Sequence, residues 1–161
     1  FTWRPFDVLE LMKRVGNAPT SVTCKPKQAY ARQDLARWAG LYGVGLSPNP
    51  GMGGIDGRRL LHAALAAETH GKGEEASRRL FAAMWAGDAP LATSDDLSAL
   101  LADLGVTPSL VDAPERAAEL EANTAAAVEA GVFGAPSFLT EGGLLFFGND
   151  RLDFLRRALA A

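Results

Sequence analysis

The sequence is poor in the residues that most active-site chemistry draws on. Its one cysteine, Cys24, can close no disulfide within the chain and can build no cysteine-rich zinc site. A cytoplasmic location is the expectation for such cysteine usage. Its two histidines, His62 and His70, lie eight residues apart with no third ligand in view, so no metal is expected. Positive charge is not in excess: 16 Lys and Arg against 19 Asp and Glu leave a net charge of −3, which argues against a general nucleic-acid binder. No apolar run approaches the roughly 20 residues that span a bilayer. No stretch carries a signal-peptide pattern. Neither nucleic acid nor membrane is therefore an expected partner.

What remains is a chain of 161 residues, 48% hydrophobic and 22% charged, enough to bury a core. Ala and Leu supply roughly a third of it, a share typical of helical proteins. The segment Phe1-Thr2-Trp3-Arg4-Pro5-Phe6 alternates aromatics with Thr and predicts a strand ended or edged by Pro5. Residues 16–27 are rich in Gly, Pro, Ser and Thr and predict a loop. Helical spacing of Leu35, Trp38, Ala39 and Tyr42 predicts a helix over 28–43, followed by a Gly- and Pro-rich loop over 43–57.

Asp56 is placed to cap a helix over 57–70, with Gly71 and Gly73 ending it. Further helices are expected over 74–86, over 95–104 behind Ser94 or Asp95, from Pro108, and over 114–130. The period then changes. Residues 137–141 and 144–147 predict a hairpin turning at Gly142-Gly143, and Asn149 or Asp150 is placed to cap a last amphipathic helix. Trp38, Trp85 and Phe133 are expected in the core, and Asp95 and Asp96 as helix caps rather than a catalytic pair. Cys24, beside Lys25 and Lys27, reads as an incidental loop thiol. Charge is uneven: residues 1–40 carry +4 and residues 88–130 carry −8. The first stretch suits an anionic ligand, whereas the second reads as a solvated helical face.

The chemistry concentrates in Gly131 to Arg151, GVFGAPSFLTEGGLLFFGNDR. Pro136 cannot donate to a ladder, so it belongs at a strand's first residue, and Ala135-Pro136 is a candidate cis peptide at that corner. Such a corner leaves the backbone of Ala135 outward, able to pair with an extended ligand as a sheet edge does. The helix start at Asn149-Asp150 suits a carboxylate through its free N–H groups, and Asp150 suits an ammonium. Glutathione carries a peptide backbone, a carboxylate and an ammonium.

The segment GVFGAPSF…GGLLFFGNDRLDFL resembles the end of 2-hydroxychromene-2-carboxylate isomerases and kappa-class glutathione transferases, which share a DsbA-like thioredoxin fold. WRPFDVLELMKRVGNAPT and KPKQAYARQDLARWAGLYGV are similar to that family's second strand with its following loop and to its first inserted helix. The resemblance implies an α/β, thioredoxin-like sheet with an inserted all-helical domain. Residues 1–27 and 131–161 would form the thioredoxin-like part, and 28–130 the helical insertion with its connecting helix. It also implies a strand and a helix ahead of Phe1, with the catalytic Ser (Cys in oxidoreductase relatives) on that helix.

Carried over, Ala135 before Pro136 would bind the cysteinyl part of glutathione, and Asn149 and Asp150 its γ-glutamyl end. Asn17 and Lys27 would reach a carboxylate of substrate or glutathione, with Arg4 also available. The run GMGGIDG (Gly51–Gly57) departs from the family's Phe-Pro-x-Asn-type segment on the substrate side. The implied activity is a glutathione-dependent isomerisation of an aromatic-ring-derived 2-oxo acid in bacterial aromatic catabolism, with a homodimer left open. The alternatives are a kappa-type transferase, a dithiol oxidoreductase of the same fold, and a non-enzymatic helical interaction protein.

Overall fold

The computed structural model describes residues 1–18 and 24–160. Its elements run α1 (Val8–Arg14), α2 (Lys25–Tyr42), α3 (Gly57–Glu68), α4 (Gly73–Trp85), α5 (Ser94–Leu101), α6 (Pro108–Val111), α7 (Pro114–Glu129), β1 (Ser137–Leu139), β2 (Leu145–Phe147) and α8 (Leu152–Leu159). Short 3-10 turns cover Met52–Gly54, Ala102–Leu104 and Asn149–Arg151. The chain forms two compact units. One holds Phe1–Pro5 and Pro19–Glu119; the other holds Phe6–Ala18 and Leu120–Ala161.

Local chemistry explains most helix starts. The Asp56 carboxylate accepts from the N–H groups of Arg58 and Arg59 at 3.0 and 3.4 Å, opening α3. Thr107 accepts from Leu110 N–H ahead of Pro108 at the start of α6. At α5 the cap is Thr93, not Ser94 or Asp95. Its hydroxyl accepts from Asp96 N–H at 3.1 Å, while the Asp96 carboxylate accepts from Ala92 and Thr93 N–H, each at 2.9 Å. A reciprocal box needs its two members three residues apart, which selects Thr93 and Asp96. Those backbone donors hold the Asp96 carboxyl below the usual carboxylate range.

Four other expectations are corrected. Residues 1–7 form no strand, because a strand needs a ladder partner and β1 and β2 are the only paired strands among the described residues. Trp3 instead lies beside the Glu74 carboxylate and helps the Arg78 guanidinium to hold it below the usual range. Val8–Arg14, which the resemblance assigns to a second strand and the loop after it, is helical behind Asp7, whose side chain accepts from Glu10 N–H. Gly73 opens α4 rather than closing α3, and a Cβ there would meet the Glu68 carboxylate. The predicted loop over 16–27 gives way to α2 from Lys25, where Pro26 is preorganised for a helix start; residues 19–23 of that loop lie outside the described residues.

The helical unit is centred on α3 and α4. Ala63, Ala66 and Ala67 of α3 and Ala76, Leu80 and Ala83 of α4 belong to one buried cluster. Small residues on facing helices let the backbones approach closely. Leu97 and Leu101 of α5 complete the cluster with Leu91, Leu104, Val106 and Val111. Of the apolar residues of α2 only Ala39 is buried. Trp38 is half-buried, stacked on Tyr42 at 5.5 Å with its indole N–H on Asp34 at 3.2 Å. Trp85 is 40% and Phe133 41% exposed, so neither is the core residue expected.

In the second unit Leu11, Leu120, Thr124, Val132 and Leu155 are buried. Its hairpin pairs Ser137 with Phe147, Phe138 with Phe146 and Leu139 with Leu145, antiparallel. The strands are shorter than predicted because Thr140 is drawn into the turn. Its N–H donates to Leu144 O, while its hydroxyl accepts from Leu144 N–H and its carbonyl from Gly143 N–H.

Candidate functional site

The candidate site gathers around one corner of the second unit. Ala135-Pro136 is a cis peptide and Ala135 is exposed. The residues on either side of Ala135 are held. Upstream, the Asn17 Nδ2 donates to Phe133 O at 2.7 Å. Downstream, Pro136 O accepts from Gly148 N–H at 3.0 Å, and the Ser137 hydroxyl donates to Gly134 O at 2.8 Å. Among the described residues neither backbone group of Ala135 has a hydrogen-bond partner. A polar backbone pair presented this way is competent to pair with an extended chain.

Phe133 and Phe147 flank the corner, ring centroids 4.7 Å apart. Gly134 lies against them so closely that a Cβ there would come within 2.9 Å of the Phe147 ring. The glycine is required by that approach rather than by turning freedom alone. Gly148 is favoured by its φ of +95°, and the Asp150 carboxylate folds back over it, 2.7 Å from where a Cβ would stand.

The turn after β2 corrects the expected cap. Asn149–Arg151 is a 3-10 turn behind Gly148, α8 starts only at Leu152, and neither start has a side-chain cap. The Asp150 carboxylate pairs with the neighbouring Arg151 guanidinium instead. The turn therefore presents an anion and a cation side by side, a pattern suited to a zwitterionic group. Asn17, Ala135, Pro136, Asn149 and Asp150 all lie in this unit. Lys27, in the first turn of α2, and Arg4 belong to the helical unit, both exposed. Cys24 is half-buried just ahead of α2 and makes no capping bond. Sequence reasoning missed the partner of Asn17 and the ring pair over Gly134, since neither has a signal at short spacing.

His62 lies outside this site, on α3. Its Nε2 is buried without a partner among the described residues. Burial, reinforced by Arg58, pulls its pKa below the ordinary histidine value, with Asp56 and Asp112 opposing and Arg116 adding slightly. The fold thus favours the neutral ring. That contribution is complete above about pH 6.5, the unfolded value, and is lost as pH falls below it. Melting temperature is expected to drop between pH 7.5 and 5.5, and the drop to shrink in His62→Gln, as scanning calorimetry would read.

An exposed backbone edge beside a cis-proline, after a helix and ahead of a hairpin and final helix, defines a thioredoxin-type class. The chain belongs to the DSBA-like thioredoxin domain family, whose model matches residues 1–160, and its fold is the DsbA-like thioredoxin fold interrupted by helices. Within that class it is similar to 2-hydroxychromene-2-carboxylate isomerase of Sphingobium xenophagum, 29% identical over 162 residues that cover 98% of this chain and 81% of the relative. A solved structure of a 2-hydroxychromene-2-carboxylate isomerase superposes with a TM-score of 0.82 at 26% identity, covering 99% of this chain and 79% of that one. Among the described residues no helix is long and apolar enough to cross a membrane.

Proposed function

We propose that the chain is an isomerase of this family, dependent on glutathione and acting on an aromatic-ring-derived 2-oxo acid in aromatic breakdown. The observation that carries the reading is the unpartnered backbone of Ala135 beside Pro136, one strand pair away from the charged turn at Asp150-Arg151. Two isomerase relatives matched over nearly the whole chain support the same reaction class.

The residues fit the tripeptide. Ala135 N–H and C=O would pair with its cysteinyl backbone, Asp150 would take the γ-glutamyl ammonium, and the Arg151 guanidinium would take the adjoining carboxylate. Glutathione bound there would supply a thiolate able to add reversibly to a conjugated carbon, chemistry with no net redox change. The chain's own part is to fix the tripeptide along the Ala135 edge and to hold its charged end.

Asp150→Ala is expected to weaken glutathione binding roughly tenfold, the size of one charge-assisted contact, with the melting temperature nearly unchanged because the carboxylate is exposed. Titration calorimetry reads the first and a thermal melt the second. Equal affinity in the two proteins would remove Asp150 from the γ-glutamyl end.

A further inference from the structure

The geometry points to Asn17 as a positioning residue: its amide holds the loop that presents Ala135, so it acts on the tripeptide through Phe133 and not by touching the aromatic acid. The inference rests on the glutathione reading above.

Asn17 is itself fixed. Its N–H donates to Met12 O at 2.8 Å, so its backbone is part of the end of α1. That helix is tied to α7 by Asp7 N–H on the Thr124 hydroxyl at 3.1 Å and by a two-pronged pair between Arg14 and Glu121, both bonds 2.8 Å. From this anchored point the Asn17 Nδ2 reaches Phe133 O at 2.7 Å. Phe133 follows directly on the end of α7, where Val132 N–H closes back on Ala127 O at 2.9 Å. Two residues later comes Ala135.

The downstream side of Ala135 is held by the Gly148–Pro136 bond and the β1–β2 ladder. The upstream side is held by the Asn17 amide and by the Phe133 ring on Phe147. A sheet edge pairs with an extended peptide only while its N–H and C=O are held in line, and any freedom it has before binding is lost on binding. The bond from Asn17 removes that freedom in advance. One of the two Nδ2 hydrogens is spent on Phe133 O, and a direct contact through the other would move the KM of the carboxylate it touches, which the measurements below separate from the positioning role.

Asn17→Ala removes the donor and adds no charge, and Asn17 is exposed, so the variant is expected to melt as the parent does. In the ligand-free protein the backbone order parameter of Ala135 should fall from about 0.85 toward 0.6 or below by 15N relaxation. The glutathione Kd and KM should rise about tenfold, the scale of one lost hydrogen bond. The KM for 2-hydroxychromene-2-carboxylate, used as probe substrate, and kcat at saturating glutathione should stay within about twofold of the parent. An unchanged Ala135 order parameter, or a rise confined to the KM of the aromatic acid, overturns the positioning role. If the parent protein binds no glutathione while Ala135 still loosens in the variant, the positioning role stands and the glutathione reading is what fails.

Discussion

Replacing Asn49 by alanine is expected to cost the helical unit about 2–4 kcal/mol and to lower its melting temperature by roughly 6–12 °C. Asn49 is the buried peg of the long glycine-rich loop. Its Nδ2 donates to Ala83 O and Leu91 O at 3.4 and 3.3 Å, and its Oδ1 accepts from Gly51 N–H at 2.8 Å. Alanine leaves two carbonyls and an N–H without those partners in a buried setting, where each lost partner costs more than a bond gained. The backbone of Asn49 continues to donate to Met84 O, so the loop is loosened rather than released. Asn49→Asp keeps the acceptor for Gly51 but removes both donations and buries a charge, and is expected to be worse still. Chemical denaturation of the three proteins checks the order; equal midpoints would show that the Asn49 side chain contributes nothing to the stability of the unit.

Leu101→Ala is expected to cost about 3 kcal/mol, within the 2–5 typical of emptied core sites. Leu101 ends α5 fully buried in the cluster it shares with the alanine faces of α3 and α4. Those alanines are already minimal, so they have no length with which to fill the space, and the surrounding helices must shift or leave a cavity. Leu41, 72% exposed on α2, is the matching control, and Leu41→Ala is expected to change stability by less than about 0.5 kcal/mol. Denaturant midpoints at a common slope decide the comparison, and a Leu101 variant as stable as the Leu41 variant would remove that residue from the core.

Much of the helical architecture was legible because helix ends are local. Asp56, Pro108, Pro114 and Gly105 act on backbone groups within four residues of themselves, and the helices they bound lie within about two residues of the expected spans. The same locality explains the near miss at α5. Ser94 and Asp95 are the candidates by sequence, and the reciprocal bond between Thr93 and Asp96 sets the cap one residue earlier. Where pairing is long-range the sequence was misleading. The aromatic alternation of residues 1–6 describes a surface that would suit a sheet, yet Trp3 ends on Glu74 because no strand lies beside it among the described residues. Trp85 and Phe133 were expected in the core on size alone, but burial depends on what lies opposite, and both remain about two-fifths exposed.

The candidate site divides along the same line. The sequence alone determined a cis-proline candidate at Ala135-Pro136, a hairpin turning at Gly142-Gly143, and acidic Asp150 at the start of the last helical segment, because each follows from the backbone limits of residues within one turn. Tertiary structure alone decided that Asp150 turns to Arg151 rather than capping α8, and that Gly134 packs so near the Phe147 ring that a Cβ there would come within 2.9 Å of it. It alone joined Asn17 to Phe133 across 116 positions of chain. Closing a loop that long is unfavourable for one amide by itself, and the bond exists because the packing of α1 on α7 has already brought the two ends together.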